Sequence, residues 1–509
     1  MTGAPGQQFS HGVASGDPAA DSVVLWTRLG ATDSAPHDVD WEISRDQSFS
    51  DVVGTGTFTT GPDRDYTVKV VAGNLESGTT YFYRFAAPDS TLSETGVTRT
   101  LPGAEAEQVR FAVFSCANIT SDHFSAYAKA AENGDYDALV HLGDSLYEYA
   151  EGGYSQAENR VDELENPFQP ARELVTLGDY RTRYAQYAGD PNWQALRASA
   201  PLIMMWDDHE TANDSYATGA ENHTEGPELA PSTIHVTEGY FSSPFYTFAR
   251  DAGGTEVLDL TELVFSPGET YTFVVSDLGI HPFYVSDSGY REASTQLQLE
   301  GDGNPTAGVS GGQFQMTIPD DFDGTISYYC AIHASMDADF VLRSTGEGSW
   351  DNRVQRALQV YFEWNPVRDP ANVEDRKSNY RSFDFGDLVS LHMVETRLSG
   401  RDEQLAYPGA AEIGARIGEI LGGNELATYA EAHPSVEAAG GDPAALQGAL
   451  APIVTNELFV AKITEAYSSP NQEMLGATQL AWLQNEIATS SATWQLLGSQ
   501  TLMTNMTLP

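Results

Sequence analysis

Residues 138–148 read ALVHLGDSLYE, an apolar run of strand length that stops at a glycine and delivers an aspartate, a tyrosine and a glutamate. Short apolar runs bounded by turn residues are the mark of strands buried on both faces. Two other stretches share this grammar, VRFAVFSCAN at 109–118 and PLIMMWDDHE at 201–210. A helical pattern around 123–133 separates the first two, so strands alternate with helices and an α/β unit with a largely parallel sheet is expected. In such sheets the carboxyl ends of the strands form the ligand crevice. That rule brings Cys116 and Asn118, Asp144 and Tyr147, and Asp207, Asp208, His209 and Glu210 towards one site. Carboxylate, phenolate and thiolate are anionic donors suited to trivalent iron, and carboxylate and amide oxygens suit calcium. Taken singly, each Asp reads equally well as a helix cap and Tyr147 as core; the joint pattern is what points to chemistry.

Outward from these runs the period of the sequence changes twice. Residues 9–101 show short alternating strands at 22–28, 39–44, 54–60, 66–72 and 80–86, separated by turn residues, as in a fibronectin- or Ig-like β-sandwich. LESGTTYFY at 75–83 fits a tyrosine corner with Tyr81 as the corner residue. In this module Asp17 reads as a turn residue, His11 as surface and Trp26 as core. From about 230 the α/β pattern is interrupted, and 246–342 is strand-rich again: PGETYTFVV, HPFYVS, GGQFQMTIP and GTISYYC. Helical text resumes at 350–364. The expected organisation is a β-sandwich at 8–102, an α/β domain at 108–230 and 346–509, and a β-sandwich inserted at 231–345, in a loop where insertion is best tolerated.

The insert carries Cys330, His333 and Met336 in YYCAIHASM, with His281 upstream in GIHPFYVS. Two His, one Cys and a Met are the donors of blue-copper sites, and the Cys-x-x-His-x-x-Met spacing resembles the ligand loop of cupredoxins. The alternative is a cupredoxin-like fold with a buried thiol and no metal. Electron transfer to a redox partner, copper storage and plain docking all remain open as roles. Cys116 and Cys330 are the only two cysteines, so a disulfide framework is excluded; separate metal roles are expected for them rather than a bridge between modules.

The chain has 509 residues, enough for several cores, and carries 73 acidic against 26 basic side chains, a net charge of −47. Such a field repels polyanions, which excludes duplex nucleic acid and anionic membrane surfaces as partners. Lys69, Lys129, Lys377 and Lys462 are the only lysines. The acidity fits either a salty medium or an acidic secreted protein. There is no run of 18 apolar residues, so no membrane-spanning helix is expected, and residues 1–10 lack the blocks of a signal peptide.

Along the chain, GVASGDP (12–18) with VVLWTR (23–28), FSCAN (114–118), GDSLYE (143–148), WDDHETAND (206–214), YFEWNPVR (361–368), YRSFDFGDL (380–388), ETRLSGRDEQL (395–405) and QLAWL (479–483) follow one order. That order resembles the PhoD family of metallophosphoesterases across nearly all the chain outside the insert. The resemblance implies a four-layer αββα sandwich, an extracytoplasmic alkaline phosphatase or phosphodiesterase acting on small-molecule or lipid phosphate esters, and a centre of Fe³⁺ with Ca²⁺. By position it implies Asp144 as the bridging carboxylate and Cys116 and Tyr147 as iron ligands. Asp207 and Asp208 are implied as further metal ligands, Asp208 in the second-metal region. His209 is implied as the histidine that stabilises or protonates the reacting phosphate, with Asp208 and Asn118 beside it.

Two departures stand out. Glu395-Thr396-Arg397 replaces the family's Asp-Thr-Arg, with Arg397 and Arg401 open to phosphate contact or surface ion pairing. The family's late Gly-Asp-x-His segment has no counterpart before Pro509, so an incomplete ligand set and an open sheet edge at 494–501 are expected. Three classes of function follow: a phosphoesterase, a copper or redox protein on a phosphoesterase scaffold, and a secreted interaction protein.

Overall fold

Each apolar run at the centre of the sequence reading becomes a strand. In the computed structural model the chain is described over residues 7–501 apart from 32–34, 105, 122, 155–156, 158–160, 162, 165–166, 261–262, 320–321, 323, 343–346, 405–407 and 468–472. Strands β1 Val13–Gly16, β2 Val23–Arg28, β3 His37–Ser44, β4 Val52–Thr60, β5 Thr67–Ala72, β6 Thr80–Ala86 and β7 Gly96–Arg99 precede β8 Phe111–Phe114, β9 Ala138–His141 and β10 Leu202–Met204. Helix α1 Ser125–Asn133 joins β8 to β9, and α2 Leu177–Ala188 and α3 Pro191–Ser199 lie between β9 and β10. The α2 start is a capping box of Thr176 and Asp179; Asp190 caps α3, whose first residue is Pro191.

Six strands form one sheet in the order β5-β2-β1-β10-β9-β8, parallel from β1 to β8 and antiparallel from β1 to β5. Three strands of the amino-terminal segment therefore continue the α/β sheet, and only β4-β3-β6-β7 makes a sheet of its own. The boundary placed at 102 is not a break in hydrogen bonding. Gly16 makes the join: a Cβ there would lie 2.4 Å from the Leu202 carbonyl oxygen and 2.5 Å from that of Pro366. The next residue, Asp17, does sit in a turn, with φ of 40°, but it is buried and salt-bridged to Arg381 at 2.7 Å while accepting from Arg368 N–H at 2.8 Å. His11, read as surface, packs edge-on to Trp364, and burial with the nearby Arg28 and Arg197 lowers its pKa to about 3. Trp26 is fully buried, and the Tyr81 hydroxyl accepts from the Glu76 N–H at 2.8 Å, the contact a tyrosine corner makes.

The middle of the chain runs β11 Glu228–Leu229, β12 Thr233–Gly239, β13 Tyr246–Ala249, β14 Leu263–Phe265, β15 Thr270–Val275, β16 Phe283–Ser286, β17 Gln298–Gly301, β18 Gly312–Thr317, β19 Ser327–Cys330, β20 Asp337–Asp339 and β21 Val341–Leu342. They form sheets β13-β12-β15-β18-β17, β16-β19-β20 and β11-β14-β21 around a separate core rich in aromatics, among them Phe248, Phe273, Phe283 and Phe314. Pairing of β11 with β14 starts this unit at Glu228, ahead of the expected 231, and its expected end at 345 lies outside the described residues.

Then α4 Trp350–Trp364 returns to the first core, burying Val354, Ala357, Leu358 and Tyr361 at helical spacing. It is followed by β22 Arg381–Phe385, β23 Val389–Met393, α5 Ala410–Gly422, α6 Leu426–Ala432, α7 Pro434–Ala439, α8 Pro443–Tyr467, α9 Gly476–Thr489 and β24 Trp494–Gly498. Sheet β22-β23-β24 faces the six-stranded sheet: Phe383, Phe385, Leu391 and Met393 share a core with Leu139, Val140 and Ile203. Within α8, the stretch Pro443–Thr464 is long and apolar enough to cross a bilayer, contrary to the expectation that none would be. Its Leu446, Leu450 and Val454 pack against Ile417, Ile420, Tyr429 and Val436 of α5–α7.

Candidate functional site

The turn after β9 cannot be built without Gly143. Its φ is 106°, and a Cβ there would meet the Asp207 backbone nitrogen at 2.2 Å. Asp144 follows with φ of 54°, and across from it Cys116, after β8, has φ of 58°. Left-handed backbone costs a non-glycine residue about 1–2 kcal/mol, and such strain gathers where function requires it. Two backbone hydrogen bonds hold the pair of turns together, Cys116 N–H to Gly143 O at 3.2 Å and Ala117 N–H to Asp144 O at 2.8 Å.

Around these turns the ligand atoms of Asp144, Asp208 and His209 lie within 4.8 Å of one another, all buried. The Cys116 Sγ and the Tyr147 hydroxyl each lie 3.4 Å from Asp144 Oδ2. The structure thus brings together five of the residues singled out above. Burial, then the Asp207 and Glu210 charges, raise the Asp144 pKa to about 8, and partial desolvation beside Asp144 pushes the Cys116 thiol up to about 11. A trivalent cation reverses both shifts, so carboxylate, thiolate and phenolate here fit the iron that the sequence suggested.

Oxygens of Asp207, Asp208 and Asn118 also accept hydrogen bonds. Asp207 Oδ1 accepts from Arg397 Nε at 2.5 Å, Asp208 Oδ2 from Asp214 N–H at 2.6 Å, and Asn118 Oδ1 from the Thr120 hydroxyl at 2.8 Å. Asp207 is an ion-pair partner in this arrangement, and Asn118 supports the loop after Cys116. Arg397 is not a surface residue: it is buried and also lies 3.3 Å from Asp208 and 3.6 Å from Asp214. Arg401 turns to Gln404 and the Thr396 carbonyl.

Three buried acids act as acceptors around the site; of these the sequence reading brought only Glu210 to it. Glu210 accepts from the N–H groups of Asp144, Ser145 and Asp207 and from the Ser145 hydroxyl, at 2.7 to 3.0 Å. Glu395 accepts from Trp206 Nε1 at 2.9 Å and from the N–H groups of Arg397, Leu398 and Ser399, so its carboxylate shapes the Arg397 turn. Glu148 bonds His209 Nδ1 at 2.7 Å. Glu148 and Glu210 stand inside the quoted motifs, four residues after Asp144 and one after His209, which was the available signal. Burial opposes a charged His209, but the Glu148 hydrogen bond and charge, with Asp208 and Asp144, outweigh it and raise its pKa to about 10.

In the middle unit the ligand atoms of His281, Cys330 and His333 also lie within 4.8 Å of one another. Cys330 Sγ is 3.9 Å from His281 Nδ1 and 3.4 Å from His333 Nδ1. Met336 is fully buried, with its N–H donating to His333 O and its carbonyl accepting from Cys330 N–H, both at 2.9 Å. Both cysteines are free, as expected.

A sequence profile described as PhoD-like phosphatase matches residues 111–238 and 332–509, and one described as PhoD-like phosphatase, N-terminal domain, matches 2–102. Alkaline phosphatase D of Bacillus subtilis (strain 168) is 39% identical over 215 residues, covering 40% of this chain and 36% of that protein. A solved structure titled Structure of PhoD superposes with a TM-score of 0.53 at 23% identity, over 98% of this chain and 63% of the other. The chain therefore spans less than two thirds of the length of either relative. With the two profiles together covering most of its residues, and with the sheet-end cluster on the stretches they match, the chain belongs to the PhoD-like phosphatase family.

Proposed function

We propose that the chain hydrolyses phosphate mono- or diesters at the centre formed by Cys116, Asp144, Tyr147, Asp208 and His209. The observation that carries this is the convergence of Asp144, Asp208 and His209 within 4.8 Å, with Cys116 and Tyr147 beside Asp144, in a member of a phosphatase family. Cys116, Asp144 and Tyr147 would hold iron, which when bound supplies charge neutralisation and a lowered pKa for the attacking water. Of the chain's own groups, His209 is placed to stabilise the phosphate or return a proton to the leaving oxygen. Arg397, already held by Asp207 and Asp208, offers a fork of donors suited to phosphate oxygens. The carboxylates of Asp207 and Asp208 are the groups that would hold Ca²⁺, the further metal that the resemblance implies. Net charge disfavours polyanionic substrates, which leaves small-molecule or lipid phosphate esters, met outside the cytoplasm as the family's resemblance suggests.

Release of p-nitrophenol from its phosphate monoester and bis-ester by protein loaded with Fe³⁺, with and without Ca²⁺, tests this reading. Asp144→Asn is expected to lower kcat at least a hundredfold and to strip most of the iron while the far-ultraviolet circular dichroism stays unchanged. Hydrolysis at the native rate with native iron content would sink it.

A second reading concerns the middle unit, taken as a cupredoxin-like module at about 231–345 that binds copper through His281, Cys330, His333 and Met336. It is supported by the approach of two imidazole Nδ1 atoms to one buried thiol. Loading with Cu²⁺ should give the intense visible thiolate-to-copper band, and Cys330→Ser should abolish it. A colourless wild type that retains no copper after dialysis refutes this reading, together with any redox partner.

A further inference from the structure

Among the buried groups near the sheet-end cluster, Glu148 is the one that touches no expected metal donor except His209. It is fully buried, and both of its oxygens are engaged. Oε2 meets His209 Nδ1 at 2.7 Å. Oε1 accepts from the Asn213 N–H at 2.6 Å and from Asn222 Nδ2 at 2.8 Å. Asn222 is itself fixed, since its carbonyl accepts from the buried Arg353 at 3.1 Å. The His209 ring packs against Tyr147, at 4.1 Å between centroids and 30° between planes, and against Tyr149 at 5.3 Å.

A carboxylate only accepts, so the hydrogen on the 2.7 Å contact belongs to His209 Nδ1. With Nδ1 committed to Glu148, Nε2 is the nitrogen left to meet a substrate. We propose that Glu148 is a positioning residue that fixes the Nδ1–H tautomer and the orientation of His209, and that Asn213 and Asn222 hold Glu148 in the rotamer that does so. This rests on the phosphoester-hydrolase reading for its catalytic consequence, but the tautomer does not depend on that reading. Because Asn222 lies six residues before β11, the clamp also sits at the root of the middle unit.

The Oε1 and Oε2 environments make a sharp prediction for Glu148→Gln. Two donors face Oε1, so the glutamine oxygen takes that place and its NH₂ faces His209 Nδ1. Nδ1 must then accept, and the ring inverts to the Nε2–H tautomer.

The full chain, labelled with ¹⁵N at histidine and free of paramagnetic metal, is examined by imidazole ¹H–¹⁵N correlation. The His209 signal is identified by its loss in His209→Asn. Wild type is expected to show a hydrogen-bonded Nδ1–H, and Glu148→Gln an Nε2–H. In the iron-loaded protein Glu148→Gln should lower kcat about 10–100-fold with KM changed less than about threefold, more for phenyl phosphate than for p-nitrophenyl phosphate. The same substitution should cost nothing further in a His209→Asn background, since it acts through that ring.

Absence of a hydrogen-bonded proton on His209 Nδ1 in wild type overturns the proposal, without any variant having to fold. An unchanged tautomer in Glu148→Gln, or additive losses in the double variant, overturn it as well. Absence of hydrolysis in wild type with the Nδ1–H tautomer present overturns the phosphatase reading and leaves the assignment of Glu148 as the group that orients His209 supported.

Discussion

The Glu210 carboxylate is the hinge on which three separate backbone N–H groups turn. Burial raises its pKa to about 7 while the hydrogen bonds from Ser145, Asp207 and Asp144 pull the other way. Glu210→Gln keeps the volume but places an NH₂ against N–H donors that have no other acceptor, and leaving such buried groups unpaired costs about 1–3 kcal/mol apiece. The expected outcome is a loss of roughly 2–3 kcal/mol in urea unfolding and a marked drop in retained iron, because both the Asp144 and Asp207 turns hang on this side chain; unchanged unfolding would show that the turns hold themselves. The convergence of Asp144, Asp208, His209, Cys116 and Tyr147 was legible in the sequence because each lies within six residues of the end of an apolar strand, and strand ends in parallel sheets converge. The partners of Glu148, Glu210 and Arg397 were not, since those contacts span 61 to 190 positions and leave no local period. Asp207, read as a metal ligand beside Asp208, also accepts from a distant arginine, a contact its own segment does not announce.

The runs that became β2 to β6 and β8 to β10 were each read to within two residues, the mostly exposed β4 among them. GVASGDP was read as a motif and not as a strand, although β1 within it couples the two halves of the central sheet; its small residues carry no period. Helices α5–α8 were read only as undivided helical text, because glycine- and alanine-rich segments mark their ends weakly. Strand β24 pairs with β23 along all five of its residues and among the described residues is the outer strand of its sheet, with Trp494 62% exposed. The turn into β15 gives a testable contact. Glu269 there accepts from the Thr176 hydroxyl at 2.5 Å and pairs with Arg172 at 3.0 Å, docking the middle unit on the α2 amino terminus. Burial and the Asp179 charge raise its pKa to about 7, against the partly compensating Thr176 and Arg172. An acid whose folded pKa lies above its unfolded value of 4.5 stabilises the fold below about pH 4.5, and that stability is lost as pH rises through about 7. Glu269→Gln should therefore unfold with a flatter pH dependence between 4.5 and 8 and be roughly 1–3 kcal/mol more stable than wild type at pH 8. Identical pH profiles for the two proteins would show that this contact does not titrate in that window.

At the scale of the whole molecule the sequence announced several cores and an acidic surface, and both have consequences that the folded dimensions make quantitative. The cores are tied by a few buried pairs, such as Asp17 with Arg381, which no composition could reveal because each half is an ordinary charged residue in its own segment. The charge is different, since it acts by its sum. A net charge of −47 over an accessible surface of 23856 Å² leaves one excess negative charge per about 500 Å², a mean spacing on the order of 20 Å. Screening lengths are about 30 Å at 0.01 M salt, 10 Å at 0.1 M and 3 Å at 1 M, so the mean spacing falls between the first two. Repulsion spread evenly over the surface should thus be mostly relieved by about 0.1–0.2 M salt, whereas acids crowded within a few ångströms would go on responding up to 1 M and beyond. At two places where carboxylates crowd, an arginine meets them, Arg172 with Asp179 and Glu269 and Arg397 with Asp207 and Asp208, which favours the first behaviour. Differential scanning calorimetry in NaCl is expected to show Tm rising by several degrees between 0.01 and 0.2 M and by less between 0.2 and 1 M. A Tm that climbs more steeply above 1 M than below 0.2 M would overturn the evenly spread picture and favour a protein fitted to a salty medium.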